Sequence, residues 1–477
     1  MSKSRDAFPN SLTGVVNLCG GEGYDAFFSA DWNHIKLHPL TKKCGDEIYR
    51  LSGMDGQGQA DSSAQWLYGF ADDNCSIAIL RRTRPAVGFS SGIDMRVAHF
   101  YSPILVKSTA VGKAVDLSKF DIIEFRGGIM DCLHNPDQAA HWENHTIVFP
   151  NRDCYTKQFD VTINDESFQV MYSIDTAELS SELGKVPDLR NQVHSVLRFI
   201  FSSPKSITDI EKYYDYAMCL FQFCAGRRNV QSEIRLYKND FGRSILVRLN
   251  DGFDDYADDL DLTKVIRLGY LGEHLPGLLK ILNEREKKDK RPNLMFLPIR
   301  NKDVGNISYT NVTDLCSAFE REYSCLDVPI GEKTKIAAKE LSKFLENTID
   351  QLKDYPVIVI DKAKALLSQL KGFSPSLREK ITYLYKLYCE DAKPITEQED
   401  HDALGITTFY SADEFEEKIR EFVKIRNTAS HASVVWSEGM HIYNHLNLYI
   451  YFSVLNRAGV PSKDISWILS WMFNRLF

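Results

Sequence analysis

The 477-residue sequence predicts an α+β protein, with a β-rich, sandwich-like N-terminal domain followed by an all-α C-terminal helical bundle. Three observations predict it. As far as Asp175 the chain is built from short runs of β-branched and aromatic residues parted by turn clusters such as "RGG" and "NDES". From Pro187 the apolar spacing lengthens to mix helix with strand. Beyond Asn301 helical spacing takes over almost completely, with short joins, as in an antiparallel bundle. The expected division is 1–185, 186–300 and 301–477.

In order, the strand candidates are "CSIAIL" (Cys75–Leu80), "RVAHFY" (Arg96–Tyr101), "FDIIEF" (Phe120–Phe125), "HTIVF" (His145–Phe149), "QFDVTI" (Gln158–Ile163) and "FQVMYSI" (Phe168–Ile174). Short strands repeated in this way suggest a sandwich or barrel. "NQVHSVLRFIF" (Asn191–Phe201) and "IEKYYDYAMCLFQFCAG" (Ile210–Gly226) place apolar residues at helical spacing. "IRLYKND" and "SILVRLND" read as a hairpin. The acidic stretch Asp251–Asp261 lacks the ligand order and closing glutamate of a calcium loop, and reads as a solvated loop. "EREKKDKR" (Glu284–Arg291) reads as an exposed helix end or linker, with a strand-contacting basic patch as the other reading.

The helical part opens with "VTDLCSAFEREY". In "IAAKELSKFLENTIDQL" a stripe joins Leu341, Leu345, Ile349 and Leu352. The next helix has Ser374 as its expected N-cap, Pro375 at its first position, and Leu377, Ile381 and Leu384 on one face. The helix after it opens on a capping box, Ser411 with Glu414, and a staple of Tyr410 with Phe415. "HIYNHLNLYIYFSVL" is apolar nearly all round and predicts a buried helix; "SKDISWILSWMFNRLF" follows.

Composition excludes several classes. A 44% hydrophobic and 26% charged chain is that of a globular domain protein. No apolar run is long enough to span a bilayer, and "MSKSRDAFPN" has no apolar core or cleavage site of a secretory signal. The 10 cysteines are scattered without a CxxC pair, which suits reduced thiols, so a cytoplasmic location and no membrane association are expected. A net charge of −8 argues against indiscriminate coating of nucleic acid but leaves room for a local basic site. There is no phosphate-cradling Walker loop, no G-x-S-x-G elbow and no kinase set.

The chemistry-bearing stretch is "KIRNTASHA", Lys424–Ala432. On the capped helix, Phe415, Ile419 and Phe422 recur at steps of four and three, and the next step lands on Arg426, then Ala429. The bundle-facing stripe therefore carries an arginine. A guanidinium there needs a partner, because an unpaired charge in apolar surroundings costs several kcal/mol. One answer is an ion pair with a carboxylate such as Glu340 or Glu346. The other is a cleft that receives an anion. His431 stands about 140° from Arg426 on an ideal helix, so the two converge only if the helix frays near Ser430 or a second copy packs across this surface. An imidazole moves protons near neutrality and an arginine forks onto phosphate, a pairing that suits phosphoryl chemistry. The spacing alone is common: chance supplies about two R-x(4–6)-H matches in such a chain. The other match, Arg267 to His274, contains two glycines and lies outside the bundle.

At these residues the sequence resembles the HEPN superfamily, whose signature is an arginine, a polar residue and then a histidine after four to six positions. "LREKITYLYKLY", the R-N-x-x-x-H helix and the long final helices resemble ApeA-type HEPN proteins, which carry a β-rich domain ahead of the bundle. The resemblance implies a metal-independent endoribonuclease of the R-x4-H type. It implies a homodimer or higher homo-oligomer through the HEPN bundle, with two such helices forming one cleft. The ribose 2′-hydroxyl then attacks the adjacent phosphate, leaving a 2′,3′-cyclic phosphate and a 5′-hydroxyl. Carried over, His431 handles the proton, Arg426 clamps the phosphate and Asn427 positions by hydrogen bonding. The family further implies cleavage of cellular RNA, above all tRNA, in anti-phage abortive infection, with a phage-derived trigger and an N-terminal domain that senses and restrains. RNA contact needs a local patch, for which Lys418, Lys424, His441 and His445 are candidates.

Two alternatives stay open. A catalytically inactive bundle would bind nucleic acid or protein. A metal enzyme would draw on His134, His141 and His145, or on His441 and His445, but neither set has a convincing third and fourth ligand, so no metal and no cofactor are expected. Cys219 and Cys224 sit on an apolar helical stretch and read as core, and Cys389 has no histidine near it in sequence to make it a nucleophile.

Overall fold

The fold comes from a computed structural model. It describes residues 9, 11–31, 34–51, 65–81, 86–89, 96–134, 141–143, 146–148, 156–175, 194–238, 240–249, 264–285, 289, 291–299, 307–326, 332–352, 355–372, 375–396, 412–428 and 440–473. The protein is α+β. The chain forms two compact units, Met1–Ala225 with Asn229–Leu279, and Gly226–Arg228 with Lys280–Phe477.

In the first unit the strands are β1 (Ser11–Asn17), β2 (Asp25–Asp31), β3 (His34–Pro39), β4 (Gln65–Ala71), β5 (Ser76–Arg81), β6 (Ala86–Phe89), β7 (Arg96–Tyr101), β8 (Ile104–Ser108), β9 (Lys119–Arg126), β10 (His141–Glu143), β11 (Thr146–Val148), β12 (Lys157–Ile163), β13 (Glu166–Asp175), β14 (His194–Ser206), β15 (Glu233–Lys238) and β16 (Asp240–Leu249). All but β10 and β11 join one 14-stranded sheet in the order β12-β13-β14-β9-β15-β16-β8-β5-β4-β1-β2-β3-β7-β6. Every described pairing is antiparallel, for example Val15 opposite Phe27 and Phe70. Where the sequence suggested the two sheets of a sandwich, the ladder runs unbroken. Alternation tells which face of a strand is apolar; the long-range β16–β8 pairing, Val247 against Val106, joins the two halves and has no local signal.

Each half has its own core. Around β1–β5, β7 and β8, the inward residues Val16, Phe28, Ile35, Leu67 and Ile79 pack with Cys44 and Ile48 of helix α1 (Lys42–Leu51). Around β9, β13 and β14, helix α3 (Ile210–Ala225) lays Tyr213, Tyr216 and Phe221 against Phe168, Phe201 and Phe125. The short helix α2 (Ile129–Leu133) packs beside β14, and α4 (Leu268–Leu271) and α5 (Leu275–Asn283) follow the β16 region.

The helix expected over Asn191–Phe201 is corrected to the strand β14. Ser195, Leu197, Phe199 and Phe201 point to one side, buried, and the backbone pairs with β13 and β9. Val196, Phe199 and Ile200 fit a helical period, while Leu197, Phe199 and Phe201 fit an extended one; β-branched and aromatic composition with two waiting ladder partners favours the strand. Since β13 and β14 pair across residues 176–193, the sheet continues over the 185/186 position placed above as a boundary. The expected 234–251 hairpin forms as β15 and β16.

Between β12 and β13 the "ND" of the turn cluster adopts φ 48° at Asn164 and φ 62° at Asp165, as a two-residue hairpin turn requires. Glu166, just after it, accepts from Lys205 Nζ at 2.6 Å, from Tyr213 Oη at 2.5 Å and from Lys212 Nζ. Burial alone would raise this carboxyl; the three donors outweigh it and hold it at about 2. A depressed carboxylate stabilises the fold above its unfolded value of 4.5 and loses that contribution as pH falls toward 2. Glu166→Gln should therefore lose about 2 kcal/mol at pH 7, less than the full shift because both lysines are partly solvated, and the gap to wild type should close between pH 5 and pH 2 in urea titrations. A pH-independent gap would contradict the assignment.

In the second unit the helices are α6 (Tyr309–Cys325), α7 (Glu332–Gln351), α8 (Val357–Gly372), α9 (Leu377–Thr396), α10 (Ala412–Thr428), α11 (Met440–Arg457) and α12 (Ser462–Phe473). Helices α6, α9, α10, α11 and α12 pack on one another, and α7 packs on α8. α6 opens on a capping box in which Ser308 and Asn311 satisfy each other's backbone N–H. The expected cap Ser374 and the pair Ser411 and Tyr410 lie outside the described residues. For α9 the capping is done by Ser376: its backbone N–H donates to Glu379 Oε2 at 2.7 Å, and its Oγ accepts from Glu379 N at 3.3 Å. Pro375 thus precedes the helix, because Ser-x-x-Glu supplies two caps where Ser-Pro supplies one. As expected, α11 is buried almost all round, with Leu446, Tyr449, Phe452 and Leu455 each nearly inaccessible. No helix among the described residues is long and apolar enough to cross a membrane.

Candidate active site

Helix α10 carries the candidate arginine. Asp413 and Glu414 in its first turn complement the helix dipole. Phe415, Ile419 and Phe422 are fully buried. Phe415 stacks on Tyr385 of α9 at 4.2 Å between centroids and meets Tyr449 of α11 edge-on at 5.8 Å. These contacts fix the rotation of the helix, so the next position on the stripe, Arg426, is turned toward the bundle. Arg426 is half-buried, in the last turn.

Helix α6 meets this turn. Tyr309 donates from its hydroxyl to the Arg426 carbonyl at 2.9 Å, satisfying one of the last carbonyls that a helix leaves open. Burial pushes the Cys316 thiol of α6 up to about 12, and the Arg426 charge pulls against that rise. A guanidinium offers a planar fork of donors matched to phosphate or carboxylate.

The other expected site residues divide. Asn427 lies within α10, but its side chain is outside the described residues, as are His431 and the side chain of His441. Lys418 pairs with Glu421 at 2.8 Å, and Lys424 is exposed on the same helix. His445, expected as a cleft-lining RNA contact, is corrected to a core residue: it is buried, stacked on Tyr449 at 5.8 Å and tilted against Phe415 at 5.0 Å. One turn from the helix start its position is on the packed side of α11, which an all-round apolar helix does not reveal in sequence.

His134 meets Tyr172 edge-on at 4.9 Å; His141 begins β10 with its side chain undescribed, and His145 lies outside the described residues. Among the described residues no group of three His, Cys, Asp or Glu side chains is arranged to hold a metal ion. Cys224 is enclosed and burial pushes its thiol well up, while Cys219 and Cys389 are half-buried. Arg267 of the second Arg–His match lies over the Tyr270 ring at 5.9 Å.

Tyr309 and Cys316 were not legible from the sequence, since Tyr309 is 117 positions from Arg426 and neither residue belongs to a spaced motif. No family model, curated protein or solved structure matches the chain.

Proposed function

We propose that the protein is a metal-independent endoribonuclease of the HEPN type. It cleaves cellular RNA, with tRNA the leading substrate, by attack of the ribose 2′-hydroxyl on the adjacent phosphate. Arg426 clamps the phosphate, His431 handles the proton and Asn427 positions the reacting groups. The β-rich unit regulates the nuclease in an anti-phage abortive-infection role, answering a phage-derived trigger. The observation that carries the reading is the α10 stripe: three buried apolar residues fix the helix, and the next position on it presents a half-buried arginine tied to α6.

The test is incubation of the purified protein with tRNA in EDTA. Cleavage leaving 2′,3′-cyclic phosphate and 5′-hydroxyl ends is expected. His431→Ala should lower the rate by about 10³-fold, the scale of a lost proton-transfer group, with the melting temperature unchanged. Arg426→Ala should have a similar effect and should relieve toxicity on expression. Binding of RNA without cutting would overturn the enzymatic reading in favour of a binding bundle, and normal cutting by the His431→Ala protein would overturn the site.

A further inference from the structure

In the first unit, β4, β1 and β2 set two cross-strand rows side by side. Phe70 and Phe27 stand opposite Val15, and Tyr68 and Asp25 stand opposite Asn17. Alternation places these residues on the face turned away from the core of Val16, Phe28 and Leu67. Val15 is 38% exposed, Tyr68 42% and Phe70 48%. The chain at Ala114, Val115 and Leu117 borders them, and between this segment and the strands lies a cleft of about 310 Å³, at the small end of ligand sites. Both sides are fixed before any ligand arrives. The strands are paired in the ladder. Val115 N–H donates to Ser76 Oγ at 2.9 Å, Leu117 is buried, and Asp116 accepts from Ser118 N at 2.9 Å and from Lys238 Nζ at 2.6 Å. Preformed apolar walls with a few placed polar groups are the usual make-up of a small-molecule site.

The polar end selects the ligand. Among the described residues that line the cleft, Asp25 alone carries a charge. It is half-buried, and Asn17 Nδ2 donates to its Oδ1 at 2.8 Å. Asn17 is itself held, since its Oδ1 accepts from Cys19 N at 3.1 Å and from Gly20 N at 2.5 Å. Among the described residues no lysine, arginine or histidine forms an ion pair with Asp25. An anion would meet like charge there. An uncharged apolar ligand would cover the carboxylate without supplying a counter-charge, which costs free energy. A metal ion would find a single carboxylate among apolar walls, where it needs several oxygen ligands. An organic cation suits every feature. Its ammonium or guanidinium pairs with Asp25, its apolar body lies on Val15 and Phe70, and the face of the Tyr68 ring attracts positive charge.

We propose that this cleft binds an organic cation, an ammonium or guanidinium carried on an apolar body. The site lies within the β-rich unit and does not depend on the nuclease reading. Calorimetric titration of the full chain with phenethylamine at neutral pH should give a dissociation constant on the order of 0.1 mM. The uncharged isostere phenethyl alcohol should bind roughly 10-fold or more weakly, and the anion hydrocinnamate should not bind. Asp25→Asn, which keeps an oxygen for Asn17 Nδ2, should weaken the amine by about the same factor at an unchanged melting temperature. Ala114→Trp, at an exposed position of the other side, should block the cleft and abolish binding without unfolding the chain. Acetyl-arginine methylamide separates the two sources of such a cation: tighter binding than phenethylamine assigns the natural ligand to a peptide side chain, weaker binding to a free amine. Absence of phenethylamine binding at about 10 mM, equal binding of amine and alcohol, or binding that survives either substitution undiminished would overturn the proposal.

Discussion

Replacing Glu322 with alanine is expected to destabilise the helical unit by about 3–5 kcal/mol, more than any substitution at the candidate site. The carboxylate is fully buried on α6. Arg457 of α11 grips it as a fork, Nε to Oε2 at 3.0 Å and NH2 to Oε1 at 2.7 Å, and Ser453 donates to Oε2 at 2.8 Å. Burial pushes the Glu322 carboxyl up, and Arg457 and Ser453 pull it back down. Truncation strips the Arg457 guanidinium of this partner in a nearly water-free site and opens a void between α6 and α11. The corresponding fall in melting temperature is roughly 10–15 °C for a unit of this size. Replacing both residues with leucine should recover most of the loss, since an apolar pair of similar volume avoids the desolvation that the ions incur. A double-mutant cycle by urea denaturation checks both statements. A coupling energy near zero would show that the fork contributes nothing specific.

Gly69→Ala should destabilise the β-rich unit by about 3 kcal/mol, at the top of the usual range for added atoms in a packed site. A Cβ at Gly69 would stand 1.9 Å from the Val15 carbonyl oxygen and 2.7 Å from the Val16 Cα. Across the same pair of strands, a Cβ at Gly14 would meet the Phe70 carbonyl at 2.1 Å. Both obstacles are main chain, which cannot swing aside as a side chain can. β1 and β4 approach this closely in the middle of the sheet order, so the strain reaches the ladder on both sides. Chemical denaturation with hydrogen exchange at Val16 and Leu67 reads the effect. A change within about 0.5 kcal/mol, the range of an ordinary surface substitution, would mean that the strands can separate at little cost.

Much of the fold was legible along the chain because the signals were local. The runs Cys75–Leu80, Phe120–Phe125 and Gln158–Ile163 carry β-branched and aromatic residues between turn formers, and each lies on a strand. The Phe415–Ile419–Phe422 stripe is buried as its period required. Asn191–Phe201 misled because it satisfies two periods at once, and only the neighbouring strands chose between them. Around Arg426, the spacing named the helix and the inward direction. It could not name Tyr309, which reaches the helix end from a distant segment, nor show that His445 is enclosed by rings.

From residue order alone came the two kinds of architecture, the helix that bears Arg426, and the face of that helix that turns inward, because period and composition act over a few residues and need no distant partner. Folding in three dimensions settled the rest: that fourteen strands share one ladder, that Glu322 finds Arg457, and that α7 packs on α8 while Leu345 and Ile349 stay half-buried. A pattern in sequence states that a surface is apolar or charged; whether that surface is covered depends on which segments arrive beside it, and that is a property of the whole packed chain.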